Sequence, residues 1–243
     1  MICLDFDGVL FDSAKESFVI GCEAFFGADS YFDTSKVNYE RFLLLRPFVD
    51  SAWQYREVFN ILTSDLSDEL IVVKGKQKLK KGPQDKDKEF ATKFHYIRTE
   101  LLNNNKMKWI NLHEPFDFFN LLKPFIIEFP SQFQICSTKS AEFILEILSA
   151  HGLKFDNNQV WGREAFEANN NSKANIIENN INTKDSILFV DDSCRHINDV
   201  QRLKNVDALI ANWGYVEQGK INDNHVLIIE KIKEFLSNND NKN

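Results

Sequence analysis

The chain predicts an α/β fold, a Rossmann-like parallel sheet carrying an inserted all-helical cap. Three observations predict it. The N-terminal run Ile2-Cys3-Leu4 is apolar and ends in Asp5, Phe6, Asp7 and Gly8, the pattern of a buried strand that delivers carboxylates to its C-terminal edge. From about residue 130 onward, apolar strand patterns alternate with helical ones, as βαβ units of a parallel sheet do. Between these regions, residues 14 to about 110 carry helical periodicity and no clear strand. Residues 1–13 and 115–243 are therefore assigned to the core, and 14–114 to the cap.

Each element follows from a local pattern. Ser13 and Glu16 have capping-box spacing ahead of Phe18, Val19, Cys22, Phe25 and Phe26, and Gly27 is a stop. A second helix is expected from Pro47, with Phe48, Ala52, Tyr55, Phe59 and Leu62 on one face. Glu69 to Val73 fits either a helix or a strand. Lys74 to Glu89, rich in lysine with Gly and Pro, reads as an exposed loop. Phe90, Phe94, Ile97 and Leu101 form another helical stripe. A short helix over Phe116 to Lys123 leads to Pro130. Gln132 to Cys136 alternates as a strand and ends in Ser137-Thr138-Lys139. Ser140 opens a helix that Gly152 closes. Val160-Trp161 is a short strand, and Ser172 caps a helix with Lys173 in its first turn. The continuous run Ser186 to Val190 is a buried strand ending in Asp191-Asp192. Val206 to Ile210 is a further strand, and a helix through Ile228, Ile232 and Leu236 closes the chain.

Bulk properties narrow the function. The 243 residues include 43% hydrophobic side chains, enough for a substantial core, and 22 phenylalanines. A formal charge of -7 opposes nucleic-acid binding by phosphate neutralisation. No apolar run approaches membrane-spanning length, and Asp5 interrupts the N-terminus too early for a signal peptide. Cys3, Cys22, Cys136 and Cys194 show no CxxC spacing, and Cys3 and Cys136 read as small core residues. Reduced thiols and a cytoplasmic location are the expectation.

The polar strand ends then form one set: Asp5, Asp7, Ser137, Asp191 and Asp192, with Lys173 at a helix start between them. Clustered carboxylates bind a hard dication such as Mg²⁺. A metal and a lysine offset the charge of a phosphoryl group, hydroxyls and loop N–H groups hold its oxygens, and a carboxylate can attack phosphorus.

These motifs resemble the haloacid dehalogenase superfamily, in its phosphatase branch with a helical cap inserted after the first strand, similar to phosphoglycolate phosphatases. Asp5-Phe-Asp7-Gly8-Val-Leu-Phe-Asp12-Ser13 resembles its first motif, ICSTK its second, SKANII its third and FVDDS its fourth. The resemblance covers residues 1–13 and 130–215. It implies that Asp5 is the nucleophile, Asp7 the general acid and base, and Lys173 the lysine that steadies nucleophile and phosphoryl group. It implies Ser137, Thr138 and Gly8 as phosphate contacts, and Mg²⁺ held by Asp5, Asp7 and Asp192, with Asp191 as a further or water-mediated ligand. The last motif departs from its commonest form: Asp191 stands in a glycine place, and the next acid, Asp199, comes late. Arg163 is a rival to Lys173. His95, His113 and His196 read as structural or exposed, with His196 near enough to line the site. Arg46, ahead of Trp53 and Tyr55, is the candidate substrate contact from the cap.

The implied function is Mg²⁺-dependent hydrolysis of a small phosphorylated metabolite through an aspartyl-phosphate. A phosphomutase of the same architecture, or a catalytically inactive module that binds a partner through its cap, are the alternatives. Neither the substrate nor the oligomeric state is legible.

Overall fold

The structure is a computed structural model, and it describes residues 1–27, 37–181, 186–217 and 224–240. The chain divides into two compact units, Met1–Asp12 with Glu114–Asn243 and, between them, Ser13–His113. In chain order the first unit opens with β1 (Ile2–Leu4) and β2 (Phe11–Asp12). The second unit holds α1 (Ala14–Phe26), α2 (Tyr39–Leu45), α3 (Gln54–Leu62), α4 (Asp68–Lys78), α5 (Asp85–Asn104) and α6 (Lys106–Ile110). The first unit resumes with β3 (Glu114–Pro115), α7 (Asp117–Glu128), β4 (Phe133–Cys136), α8 (Ala141–Ala150) and β5 (Val160–Trp161). It ends with α9 (Arg163–Ala168), α10 (Lys173–Asn180), β6 (Ile187–Asp191), α11 (Cys194–Val200), β7 (Val206–Ile210) and α12 (His225–Asp240).

Among the described residues the first unit carries a parallel sheet in the order β5-β4-β1-β6-β7. β1 is central: Leu4 lies opposite Ile135 on one side and Val190 on the other. Its three residues and all five of β6 are buried, which explains their unbroken apolar character. Cys3 and Cys136 belong to this core with Phe189 and Ile177. The hydrogen bond between the two thiols, with burial, holds Cys3 well above the usual thiol range, so it packs rather than reacts. A tiny antiparallel pair, Phe11 with Pro115 and Asp12 with Glu114, joins the two points where the chain leaves and re-enters this unit. Local patterning did not reveal it, because two residues are too few to show a period.

The second unit is built on stacked rings. Phe18 meets Phe42 at 5.2 Å, Phe42 meets Tyr55 at 5.8 Å, and Tyr55 meets Phe94 at 5.3 Å between ring centroids. Gly21 makes room for this packing, since a Cβ there would come 2.3 Å from the Phe59 ring.

Four local expectations change here. The lysine-rich stretch is not one loop: α4 runs to Lys78 and α5 starts at Asp85. Ser67 caps α4, Gly75 seats it against Leu45, and Leu79 is buried, so the lysines form a solvated helix face. Pro47 starts only a 3-10 turn, Arg46–Phe48. The next helix waits until Gln54, whose side chain accepts from the N–H groups of Asp50 and Ser51 and donates to the Leu79 carbonyl. α7 continues through Pro124 to Glu128, anchored by buried Ile126. The capping box at Ser13 does not form. Glu16 instead turns inward to accept Arg98 Nε at 2.6 Å and Nη2 at 2.8 Å, with Trp109 Nε1 at 3.3 Å.

That buried pair gives a test of the helical unit. Arg98→Met strands the fully buried Glu16 carboxylate and should cost about 3–5 kcal/mol. Glu16→Gln in the same chain should restore most of it, read as the urea midpoint of each variant.

Candidate active site at the C-terminal edge of the sheet

Strand order decides which side chains meet. β4 and β6 flank β1, so their C-terminal ends bring Ser137, Asp191 and Asp192 beside Asp5 and Asp7. Asp5 extends the ladder by one hydrogen bond, N–H to the Val190 carbonyl at 2.9 Å, and its Oδ1 accepts the Phe6 N–H at 2.7 Å.

Lys173 is the centre of the cluster. It is fully buried, and its Nζ lies 2.9 Å from Asp5 Oδ2 and 2.6 Å from Asp191 Oδ2. Burial alone would discharge this ammonium, but the carboxylates of Asp191 and Asp5 hold it charged, with its pKa above the usual lysine value. Its place is set by the start of α10: Ser172 accepts from the Asn175 N–H, and Asp199 accepts from Ser172 Oγ at 2.9 Å and the Ala174 N–H at 3.1 Å. Asp199 thus caps the helix that carries Lys173. Arg163 pairs with its neighbour Glu164 at 3.4 Å.

The two adjacent acids have different surroundings. Asp191 is fully buried and accepts from Lys173, from the Ser193 N–H at 2.8 Å, and lies 3.2 Å from His196 Nδ1. Burial works to raise its pKa, yet Lys173 and His196 overcome that and hold it well below the carboxylate range. Asp5 goes the other way. Burial raises it, Lys173 pulls it down, and Asp191 pushes it up, leaving the net value raised. Asp192 accepts the Tyr215 N–H on Oδ2 at 2.6 Å and is cradled by two glycines. A Cβ on Gly8 would come 2.1 Å from Asp192 Oδ2, and one on Gly214 2.8 Å from it.

Gly8, expected as a phosphate contact, donates its N–H to the Phe11 carbonyl at 2.9 Å instead. With φ of 85°, it closes the turn and clears space for Asp192. Ser137 is buried after β4, its N–H bonded to the Trp161 carbonyl at 2.9 Å, and Thr138 is half-buried beside it. Asp7 is paired with Lys139, a residue the sequence reading passed over although it stands two places after Ser137. Arg46 belongs to the helical unit, where its Nη1 donates to the Val49 carbonyl.

Among the described residues, one group of donors lies close enough together to hold a cation. Ligand atoms of Asp5, Asp191 and His196 lie within 4.8 Å of one another, but the Lys173 ammonium already sits against two of the three. Asp5, Asp7 and Asp192, the trio expected from the sequence, each face a different partner: Asp5 the Lys173 ammonium, Asp7 that of Lys139, and Asp192 the Tyr215 N–H. Hard oxygen donors suit Mg²⁺, and the missing Cβ atoms of Gly8 and Gly214 leave room for the Asp192 carboxylate itself.

No protein-family model matches the sequence, and no curated protein matches it. Solved structures do. A predicted phosphoglycolate phosphatase from Haemophilus somnus superposes with a TM-score of 0.51 over 90% of this chain and 87% of its own, at 15% identity. The likeness is one of fold: a parallel α/β sheet with a helical unit inserted after its first strands. A haloacid dehalogenase-like hydrolase from Streptococcus pneumoniae also matches, with a TM-score of 0.48 at 19% identity, covering 94% of this chain and 89% of that one. The strand order β5-β4-β1-β6-β7 explains why one edge of the parallel sheet gathers acids from β1 and β6 with a lysine from α10. No described helix is long and apolar enough to cross a membrane.

Proposed function

We propose that the chain is a Mg²⁺-dependent phosphomonoesterase acting on a small phosphorylated metabolite. The observation that carries this reading is the buried Lys173 ammonium held between Asp5 and Asp191 at 2.9 and 2.6 Å. One carboxylate of that pair is fixed by three partners, whereas Asp5 stays raised in pKa and is the desolvated nucleophile. An Asp5 oxygen attacks phosphorus and the ester P–O bond breaks. Asp7 gives its proton to the departing oxygen. Asp7 then takes a proton from water, whose oxygen attacks the aspartyl-phosphate, releasing phosphate and regenerating Asp5. Ser137 and Thr138 sit where hydroxyls can hold phosphate oxygens, and Lys173 offsets their charge. Asp5, Asp7 and Asp192 would hold Mg²⁺, which supplies charge neutralisation of the phosphoryl group.

The likeness to a predicted phosphoglycolate phosphatase supports a small phosphate ester as the substrate class. Phosphoglycolate, sugar phosphates and nucleotides form the panel. Phosphate release should appear with Mg²⁺ and vanish with chelator. Asp192→Asn should raise the Mg²⁺ needed about tenfold or more. Mg²⁺ should also raise the Tm of the native chain and not that of Asp192→Asn. Absence of both Mg²⁺ effects would sink the metal assignment, and a metal response without turnover would favour the mutase or binding-module readings.

A further inference from the structure

We propose that Lys139 is a positioning residue for the general acid and base, clamping both carboxylate oxygens of Asp7. This rests on the phosphatase reading of Asp7. Lys139 Nζ lies 3.2 Å from Asp7 Oδ1 and 3.4 Å from Oδ2, so the contact fixes the plane of the carboxylate and not merely its distance. The Lys139 side chain is 1% exposed and that of Asp7 20%. An ammonium this buried is stabilised by an opposite charge, and the Asp7 carboxylate supplies it in the resting site, before it takes up the proton it later gives to the leaving oxygen.

The root of the lysine is itself fixed. Its carbonyl accepts the Arg163 N–H at 2.8 Å, and its own N–H faces Ser137 Oγ at 3.4 Å. Gly162 allows this close approach of the segments after β4 and β5: a Cβ there would lie 2.8 Å from the Lys139 carbonyl and 2.3 Å from the Ala141 nitrogen. Asp7 stands in the turn beyond β1, where a bridge to Phe11 holds its backbone in sheet-like pairing. Misplacing a catalytic group by an ångström can cost orders of magnitude. The two lysines thus divide the work: Lys173 faces the nucleophile and Asp191, and Lys139 orients the group that moves protons.

The test uses the full-length chain with two substrates, the best alkyl phosphate of the panel and p-nitrophenyl phosphate, whose leaving group departs without a proton. Lys139→Met should lower kcat/KM for the alkyl ester by about 10–100-fold and for p-nitrophenyl phosphate by less than about threefold. Lys139→Arg should recover most of the alkyl activity. In an Asp7→Asn chain, adding Lys139→Met should cost less than about twofold more. If Lys139→Met does not fold, Lys139→Gln carries the same comparison. An equal loss with both substrates and in both backgrounds overturns the proposal, because it marks a phosphoryl contact or a general structural role. Full activity of Lys139→Met overturns it too. If the native chain shows no phosphate release that depends on Asp5, the phosphatase reading itself has failed, and the role of Lys139 falls with it.

Discussion

Asp5→Asn should abolish phosphate release, by about 10⁴-fold or more, the scale seen when a covalent nucleophile is removed. The same change should leave the fold intact or firmer. Burial and Asp191 raise the Asp5 pKa, so its charged form disfavours the folded state at neutral pH. Asparagine removes that charge while Lys173 keeps Asp191 at 2.6 Å. In chelator, Tm should rise by about 2–4 °C, equivalent to about 1 kcal/mol in a chain of this size. The gain should shrink as pH falls, because the raised Asp5 takes up its proton before the ordinary carboxylate range is reached. A variant that loses activity and also unfolds at lower temperature would mean that Asp5 acts as a structural ion-pair partner and not as a desolvated nucleophile. Circular dichroism melts beside phosphate-release assays read both quantities.

Lys173→Met should be the most damaging single change in the core unit. It removes the cation from between two carboxylates with exposures of 5% and 0%. Breaking a buried pair from one side costs about 3–5 kcal/mol, a fall in Tm of about 10 °C. Activity should vanish as well. The pH dependence separates this from simple loss of packing. In the native chain Asp191 is held below its usual value, so its stabilisation is complete above about pH 3.9 and is lost only as pH falls further. Without the lysine, burial and mutual repulsion raise both acids. A raised acid favours the folded state more as it protonates, so the variant, with two raised acids, should gain more stability than the native chain as pH falls from neutral toward the carboxylate range. A variant whose deficit does not change as pH falls from neutral would contradict the electrostatic account.

Much of the core was legible because its signals are local. Ile2-Cys3-Leu4 and Ser186 to Val190 are apolar without interruption, as strands covered on both faces must be, and they form β1 and β6. The helical character of the inserted region was legible from its aromatic spacing. Its boundaries were not. Gln54 fixes a helix start by bonding backbone 25 residues away at Leu79, and the fate of the lysine-rich stretch turned on Gly75 meeting Leu45. Glu16 shows the same limit. Its spacing from Ser13 fits a capping box, yet Arg98, 82 residues later, offers two charged donors in a buried setting and wins.

The chemistry of the candidate site divides in the same way. By itself the sequence determined that Asp5, Asp7, Ser137, Asp191 and Asp192 follow apolar strands and that Lys173 opens a helix, because strand and helix periods are written in neighbouring residues. Only the tertiary structure decided the pairings: Asp191 with Lys173 and His196, Asp192 with Tyr215 and the two glycines, Asp199 with the α10 cap, and Lys139 with Asp7 across 132 positions. A carboxylate has the same composition in every one of these settings. What differs is the depth of burial and the charge facing it, and both are set by which strands lie side by side.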